Sequence, residues 1–101
     1  NKIAIIVDDI IDTGRTIALA SKALIEKGCK EVIVFATHGL FSSNAKEILE
    51  NAEIKEIIIT NTIEGNEARI PRNAKKISIA PLIAQAIKRI HNSESVSSLF
   101  I

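Results

Sequence analysis

Three carboxylates, two threonines and a glycine crowd into Asp8-Asp9-Ile10-Ile11-Asp12-Thr13-Gly14-Arg15-Thr16, directly after an apolar run. Asp8, Asp9 and Asp12 are suited to hold ribose hydroxyls or a hydrated cation. Gly14 lets the backbone curl so that successive N–H groups face one point, and the hydroxyls of Thr13 and Thr16 can donate to phosphate oxygens at the positive end of a following helix. Two adjacent acids repel each other unless a cation or a polyol rewards their closeness, which argues against a merely wet strand end at Asp8 and Asp9. Asp12 is open to two roles, a third ligand contact or a cap for the following helix. Arg15 is expected to send its side chain to solvent and to face the ligand with its backbone N–H.

Such a loop works only if regular elements hold it. Ile3 to Val7 is an unbroken run of aliphatics, the mark of a buried parallel strand, and the carboxyl end of such a strand is where an open α/β sheet places ligands. Arg15 to Lys27 carries Ile17, Ala20 and Leu24 at helical spacing and stops at Gly28. Glu31 to Ala36 is a second strand, which makes a βαβ unit with parallel strands, and Thr37 to Phe41 is the loop at its carboxyl end. Ser42 or Ser43 is expected to cap a short helix through Asn44 to Leu49 whose apolar side is Ala45, Ile48 and Leu49. Glu56 to Thr60 is a third strand, Asn61 to Lys75 a polar surface loop, and Lys76 to Ile79 a short fourth strand. Pro81 suits the first turn of a last helix with Leu82, Ile83, Ala86, Ile87 and Ile90 on one face, followed by a Ser-rich tail from His91.

The bulk numbers narrow the class. The chain has 101 residues, 47% of them hydrophobic, with three Phe and neither Trp nor Tyr, so one small domain with an aliphatic core is expected. The absence of methionine and a start one or two residues before a buried strand suggest a piece of a longer chain. A net charge of +1 without a basic stripe gives no case for nucleic acid or an anionic membrane, and no apolar stretch is long enough to cross a bilayer. With one cysteine and no signal-peptide layout, a cytoplasmic location is expected.

Other chemistry-bearing residues have plainer readings. His38 lies near the presumed site, where a neutral ring satisfied by backbone and a ligand contact are equally open, while a metal role lacks local partners. His91 is expected to cap helix carbonyls. Cys29 is expected as a buried structural thiol, with nothing nearby to activate it. The scattered Lys and Arg read as solvated faces. A phosphoacceptor receiver domain fails because the second and third strands end in Ala36-Thr37 and Thr60-Asn61, which leaves no acceptor Asp in place.

Val7 to Thr16 resembles the phosphoribosyl-pyrophosphate signature shared by type I phosphoribosyltransferases and ribose-phosphate pyrophosphokinases. Ala36-Thr37-His38-Gly39-Leu40-Phe41-Ser42, Thr60-Asn61-Thr62-Ile63 and the stretch Arg89 to Phe100 resemble the pyrophosphokinases rather than the transferases, so residues 1–101 look like the C-terminal portion of such an enzyme. The resemblance implies an α/β three-layer sandwich with a mostly parallel sheet, phosphoribosyltransferase-like. It implies transfer of diphosphate from ATP to ribose 5-phosphate, giving AMP and phosphoribosyl pyrophosphate, with Mg²⁺ as cofactor. By that analogy Asp8 and Asp9 face the ribose hydroxyls and a magnesium ion, and Asp12, Thr13, Gly14, Arg15 (through its backbone) and Thr16 bind the substrate's 5-phosphate. Relatives carry a small residue where Arg15 stands, and an aromatic where Ser98 stands. Ser95, Ser97 and Phe100 are implied to lie near an effector site between subunits of a hexamer. The ATP pocket, the basic catalytic loop and the principal metal ligands are implied to come from upstream chain, so none of these residues is assigned to catalysis and the piece is expected to be inactive alone. A type I phosphoribosyltransferase of nucleotide salvage and a non-catalytic regulatory relative are the competing expectations.

Overall fold

The aliphatics of Ile3 to Val7 do seed a strand, and it outruns them. In the computed structural model, which describes residues 2–65 and 67–100, β1 spans Lys2–Ile11 and takes in both members of the acid pair. The reason lies in its neighbour β2 (Cys29–Gly39), whose ladder continues past the apolar run with Asp8 opposite Ala36, Ile10 opposite His38 and Ile11 opposite Gly39. Asp8 and Asp9 are therefore strand residues rather than turn residues, and Thr37-His38-Gly39 lies in β2 rather than in the expected loop.

Helix α1 (Arg15–Glu26) connects β1 to β2 and ends as expected, with Gly28 at φ 101°. Helix α2 (Ala45–Asn51) connects β2 to β3 (Glu56–Thr60), and β4 (Ala74–Ile77) follows after a 3-10 turn at Glu67–Arg69. The four strands are all parallel in the order β1-β2-β3-β4, an α/β sheet flanked by helices as the sequence indicated. Further boundaries also differ from expectation. The fourth strand begins two residues early, at Ala74, where β3 supplies partners from Ile57 onward. Neither Ser42 nor Ser43 caps α2; its cap position is Asn44, and no side-chain cap bond forms.

The core lies between the sheet and the layer of α1 and α2. Val32, Val34, Ile57 and Ile59 from the sheet meet Ile17, Ala45 and Leu49 from the helices, with Ile11 and Phe41 closing its carboxyl end. Burying one such side chain contributes roughly 1.5–3 kcal/mol. Alternation along the strands sends the other set to the opposite face, where Ile3, Ile5, Val7, Phe35 and Ile77 are exposed.

Helix α3 (Ala80–His91) carries Pro81 in its first turn, yet its apolar stripe is not buried: Leu82, Ile83, Ile87 and Ile90 are exposed. Helical spacing fixes which residues share a stripe, not what covers them, and among the described residues α3 packs extensively against neither the sheet nor another helix. Cys29 is half-buried rather than buried, because it opens β2 at the sheet's rim. His91 is exposed at the end of α3, whose last carbonyls are taken by the amides of Asn92, Ser93 and Glu94 instead. Some of the cations expected on solvated faces are paired, as in Lys55 with Glu31 at 3.2 Å and Lys75 with Glu56 at 3.7 Å.

Candidate functional site

Where β1 ends, the chain must turn sharply into α1, and Gly14 makes that turn. It sits at φ 79°, ψ 0°, the left-handed region that side chains resist. Space forbids a side chain as well, because a Cβ there would lie 2.8 Å from Leu49 Cγ and 2.9 Å from each of its methyl carbons. Gly14 is the N-cap of α1, no side chain caps the helix, and its first turn holds no acid. The first intrahelical bond runs from Ala18 N–H to Gly14 O at 2.9 Å. The amides of Arg15, Thr16 and Ile17 accordingly have no acceptor within the helix, and they stand at its positive end.

A hollow of about 220 Å³ opens there, lined by Asp8, Asp12, Thr13, Gly14, Arg15 and Thr16 with Ile10, Ile11 and Ile17. Thr16 and Arg15 are exposed and Thr13 is half-buried, so neither hydroxyl is lost to packing. An exposed arginine on an uncapped first turn is unfavourable for an isolated helix and suits one that meets an anion. Asp8 also borders a second hollow of about 190 Å³ along the carboxyl ends of the strands, with Val7, Phe35, Thr37, Ile58 and Thr60. Asp9, one residue along the strand and on its other side, lines neither. Its backbone N–H donates to Asp8 Oδ1 at 2.8 Å.

Asp12 does not cap α1. Its carboxylate accepts a hydrogen bond from Ser42 Oγ, and its carbonyl accepts one from Ser42 N–H at 3.0 Å. The same loop sends Leu40 N–H and Phe41 N–H to Ile11 O at 2.9 and 3.2 Å. The exit of β2 thus clasps the exit of β1. The sequence reading missed Ser42 in this role; its position six residues past the end of the Glu31–Ala36 run was the available signal, since adjacent parallel strands bring their exits together. His38 finds a side-chain partner rather than backbone, its Nδ1 lying 2.6 Å from Thr62 Oγ1, and Thr60 Oγ1 donates to Thr37 O at 2.5 Å.

No group of three or more His, Cys, Asp or Glu side chains able to hold a metal converges among the described residues. Ser95 and Ser97, exposed beyond α3, lie far along the chain from this cradle and form a local turn. Ser95 Oγ is 3.0 Å from Ser97 Oγ, while Arg89 Nη1 donates to Ser95 O at 3.1 Å and to Ser98 Oγ. Phe100 closes the 3-10 turn Ser97–Phe100, and its side chain lies outside the described residues.

The family model of the phosphoribosyl synthetase-associated domain matches residues 1–101. The chain is 57% identical over 97 residues to a ribose-phosphate pyrophosphokinase of Staphylococcus aureus and 54% identical over 97 residues to one of Staphylococcus saprophyticus. Each match covers 96% of this chain and 30% of the relative, so the chain spans under a third of the curated relatives' length. Among solved structures, the phosphoribosylpyrophosphate synthetase from Mycobacterium smegmatis is similar with a TM-score of 0.86 and 41% identity, over 92% of this chain and 31% of that one. The resemblance first read from the β1–α1 junction extends to sequence and fold along nearly the whole chain, which belongs to the phosphoribosyl synthetase-associated domain family of the ribose-phosphate pyrophosphokinases.

Proposed function

We propose that residues 1–101 are the C-terminal, sugar-phosphate-binding portion of a ribose-phosphate pyrophosphokinase, acting on ATP and ribose 5-phosphate to give AMP and phosphoribosyl pyrophosphate. The observation that carries this reading is the uncapped start of α1, where the left-handed Gly14 opens a row of amides flanked by the accessible Thr13 and Thr16 hydroxyls. Those groups bind the 5-phosphate, and Asp8 at the edge of the same hollow accepts from the ribose hydroxyls. The reaction needs in-line positioning and charge neutralisation more than covalent chemistry, so a rigid cradle is a full share of the work.

The donor set also fits magnesium. Mg²⁺ is usually held by one or two carboxylates together with waters and substrate phosphates, and Asp8 at the edge of the hollow supplies one such carboxylate without a protein cage. When bound, the ion neutralises phosphate charge. Asp8 is its holder in this portion of the enzyme, and Asp9, the next residue on the strand, adds negative charge beside it. The ATP pocket and the remaining ligands come from the part of the enzyme this chain does not span, so the 101-residue chain by itself binds ribose 5-phosphate weakly and forms no AMP. Ser95, Ser97 and Phe100 contribute to an effector site between subunits of a homo-oligomer, a hexamer in the bacterial type, working in the cytoplasm.

Calorimetric titration with ribose 5-phosphate, with and without Mg²⁺, compares the chain with an Asp8→Asn, Asp9→Asn double variant. Binding that Mg²⁺ strengthens in the parent and not in the variant is expected. Equal heats from both proteins remove the acid pair from the site, and AMP formation by the 101-residue chain overturns the division of labour.

A further inference from the structure

Within the reading above, one feature of the cradle is at odds with simple phosphate binding: Asp12, a carboxylate, stands in the loop that wraps a dianion. Two anions at contact distance repel, and Asp12 is exposed beside the hollow. The carboxylate must point elsewhere when the ligand is bound. Ser42 holds it there, since its hydroxyl donates to Asp12 Oδ1 while its amide donates to Asp12 O at 3.0 Å. We infer that Ser42 is a positioning residue for sugar-phosphate binding, which ties the Asp12 carboxylate, at the edge of the hollow, to the β2–α2 loop and so keeps it from the donors of Thr13 to Thr16.

The loop that presents Ser42 is built at a cost, which is what distinguishes a clasp from a chance contact. Both its neighbours are non-glycine residues in the left-handed region, Phe41 at φ 51° and Ser43 at φ 54°. Such conformations persist only where surroundings over-determine them, and they cluster at functional sites. Phe41 is fixed by complete burial and by its two-residue reach back under Gly39, where a Cβ would lie 2.6 Å from Phe41 Cε2. Its amide and that of Leu40 both bond to Ile11 O. The bond between Ser42 and Asp12 is itself solvent-exposed, so it adds little to folding stability, and its consequence falls on the geometry of the loop.

Calorimetry on the 101-residue chain with ribose 5-phosphate tests this with four variants. Ser42→Ala weakens binding by about tenfold, the factor that corresponds to roughly 1.4 kcal/mol. Ser42→Thr, which keeps the hydroxyl, restores it. In an Asp12→Asn background the Ser42→Ala penalty shrinks to about twofold or less, because the charge that had to be held away is gone. A merely structural serine lowers the melting temperature equally in both backgrounds and leaves affinity alone, and either an unchanged affinity in Ser42→Ala or the same penalty in both backgrounds overturns the inference. Should the parent chain bind no ribose 5-phosphate, the functional reading fails separately, and amide hydrogen exchange decides the positioning role. Faster exchange at Ala18 and Phe41, whose amides bond Gly14 O and Ile11 O, in Ser42→Ala, reversed in Ser42→Thr, supports it, and exchange equal to the parent's sinks it.

Discussion

Replacing Gly14 with alanine tests whether the turn into α1 is dictated by backbone and space together. The left-handed conformation at φ 79° costs a side-chain-bearing residue about 1–2 kcal/mol. The added methyl would also lie under 3 Å from three carbons of Leu49, which is fully buried. Overpacking of that kind costs about 1–3 kcal/mol, so Gly14→Ala is expected to destabilise the chain by about 2–5 kcal/mol in total. Urea denaturation followed by far-UV circular dichroism reads the change as a shift in midpoint. Gly28 is the control: it too has positive φ, 101°, but nothing lies within 4 Å of its added Cβ, so Gly28→Ala carries only the conformational cost of about 1–2 kcal/mol. The clash is isolated by Leu49→Ala. Alone it opens a cavity and costs about 2–5 kcal/mol, whereas in the Gly14→Ala background the new methyl moves into the vacated space and the loss is smaller. Additivity of the two substitutions to within about 0.5 kcal/mol refutes the packing argument, and a Gly14→Ala cost no larger than that of Gly28→Ala refutes it independently.

Asn73 donates its amide to Leu49 O at 3.3 Å and Ile54 O at 3.1 Å, tying α2 and the start of β3 to the entry of β4. Asn73→Asp turns that donor into a third acceptor facing two carbonyls, and a loss of about 2–3 kcal/mol in denaturant titration is expected, with no loss refuting the role of the amide. The Lys55 and Glu31 pair is the opposite case. At 3.2 Å but with 58% of the lysine side chain exposed, it is expected to contribute under about 1 kcal/mol, so Lys55→Ala is expected to shift the midpoint slightly and less still in high salt.

Local signals carried most of the secondary structure. The β3 run Glu56 to Thr60 matches the strand residue for residue, and Gly28 ends α1 because a residue with φ near 100° cannot continue a helix. Errors came where a neighbour decided the outcome. Asp8, Asp9, Thr37 and His38 look like loop residues by type, yet the ladder between β1 and β2 keeps them extended. Ser42 looks like a cap by position and is drawn to Asp12 instead. Both are long-range effects, invisible to any window of sequence that holds only one of the partners. Ser21 is a local case by contrast: it is wholly buried on α1, with its hydroxyl satisfied one turn back by Ala18 O at 2.9 Å.

The turn from β1 into α1 was legible for a physical reason. Its requirements are met within one turn of chain: a strand to set direction, a residue without Cβ to reverse it, and hydroxyls and amides that follow immediately. The exposed stripe of α3 and the exposed face bearing Ile5, Val7 and Phe35 obey no such local rule. Their composition says that they avoid water and their spacing says which residues lie together, but burial is a relation between two surfaces and neither pattern names its counterpart. Asp12 sits between the two cases. Its residue type suggested a ligand or a cap, and only the arrival of β2's exit loop beside it turned the same carboxylate into a group held to one side. A single pair of partners thirty residues apart in sequence therefore sets the chemistry of a loop whose shape is otherwise local.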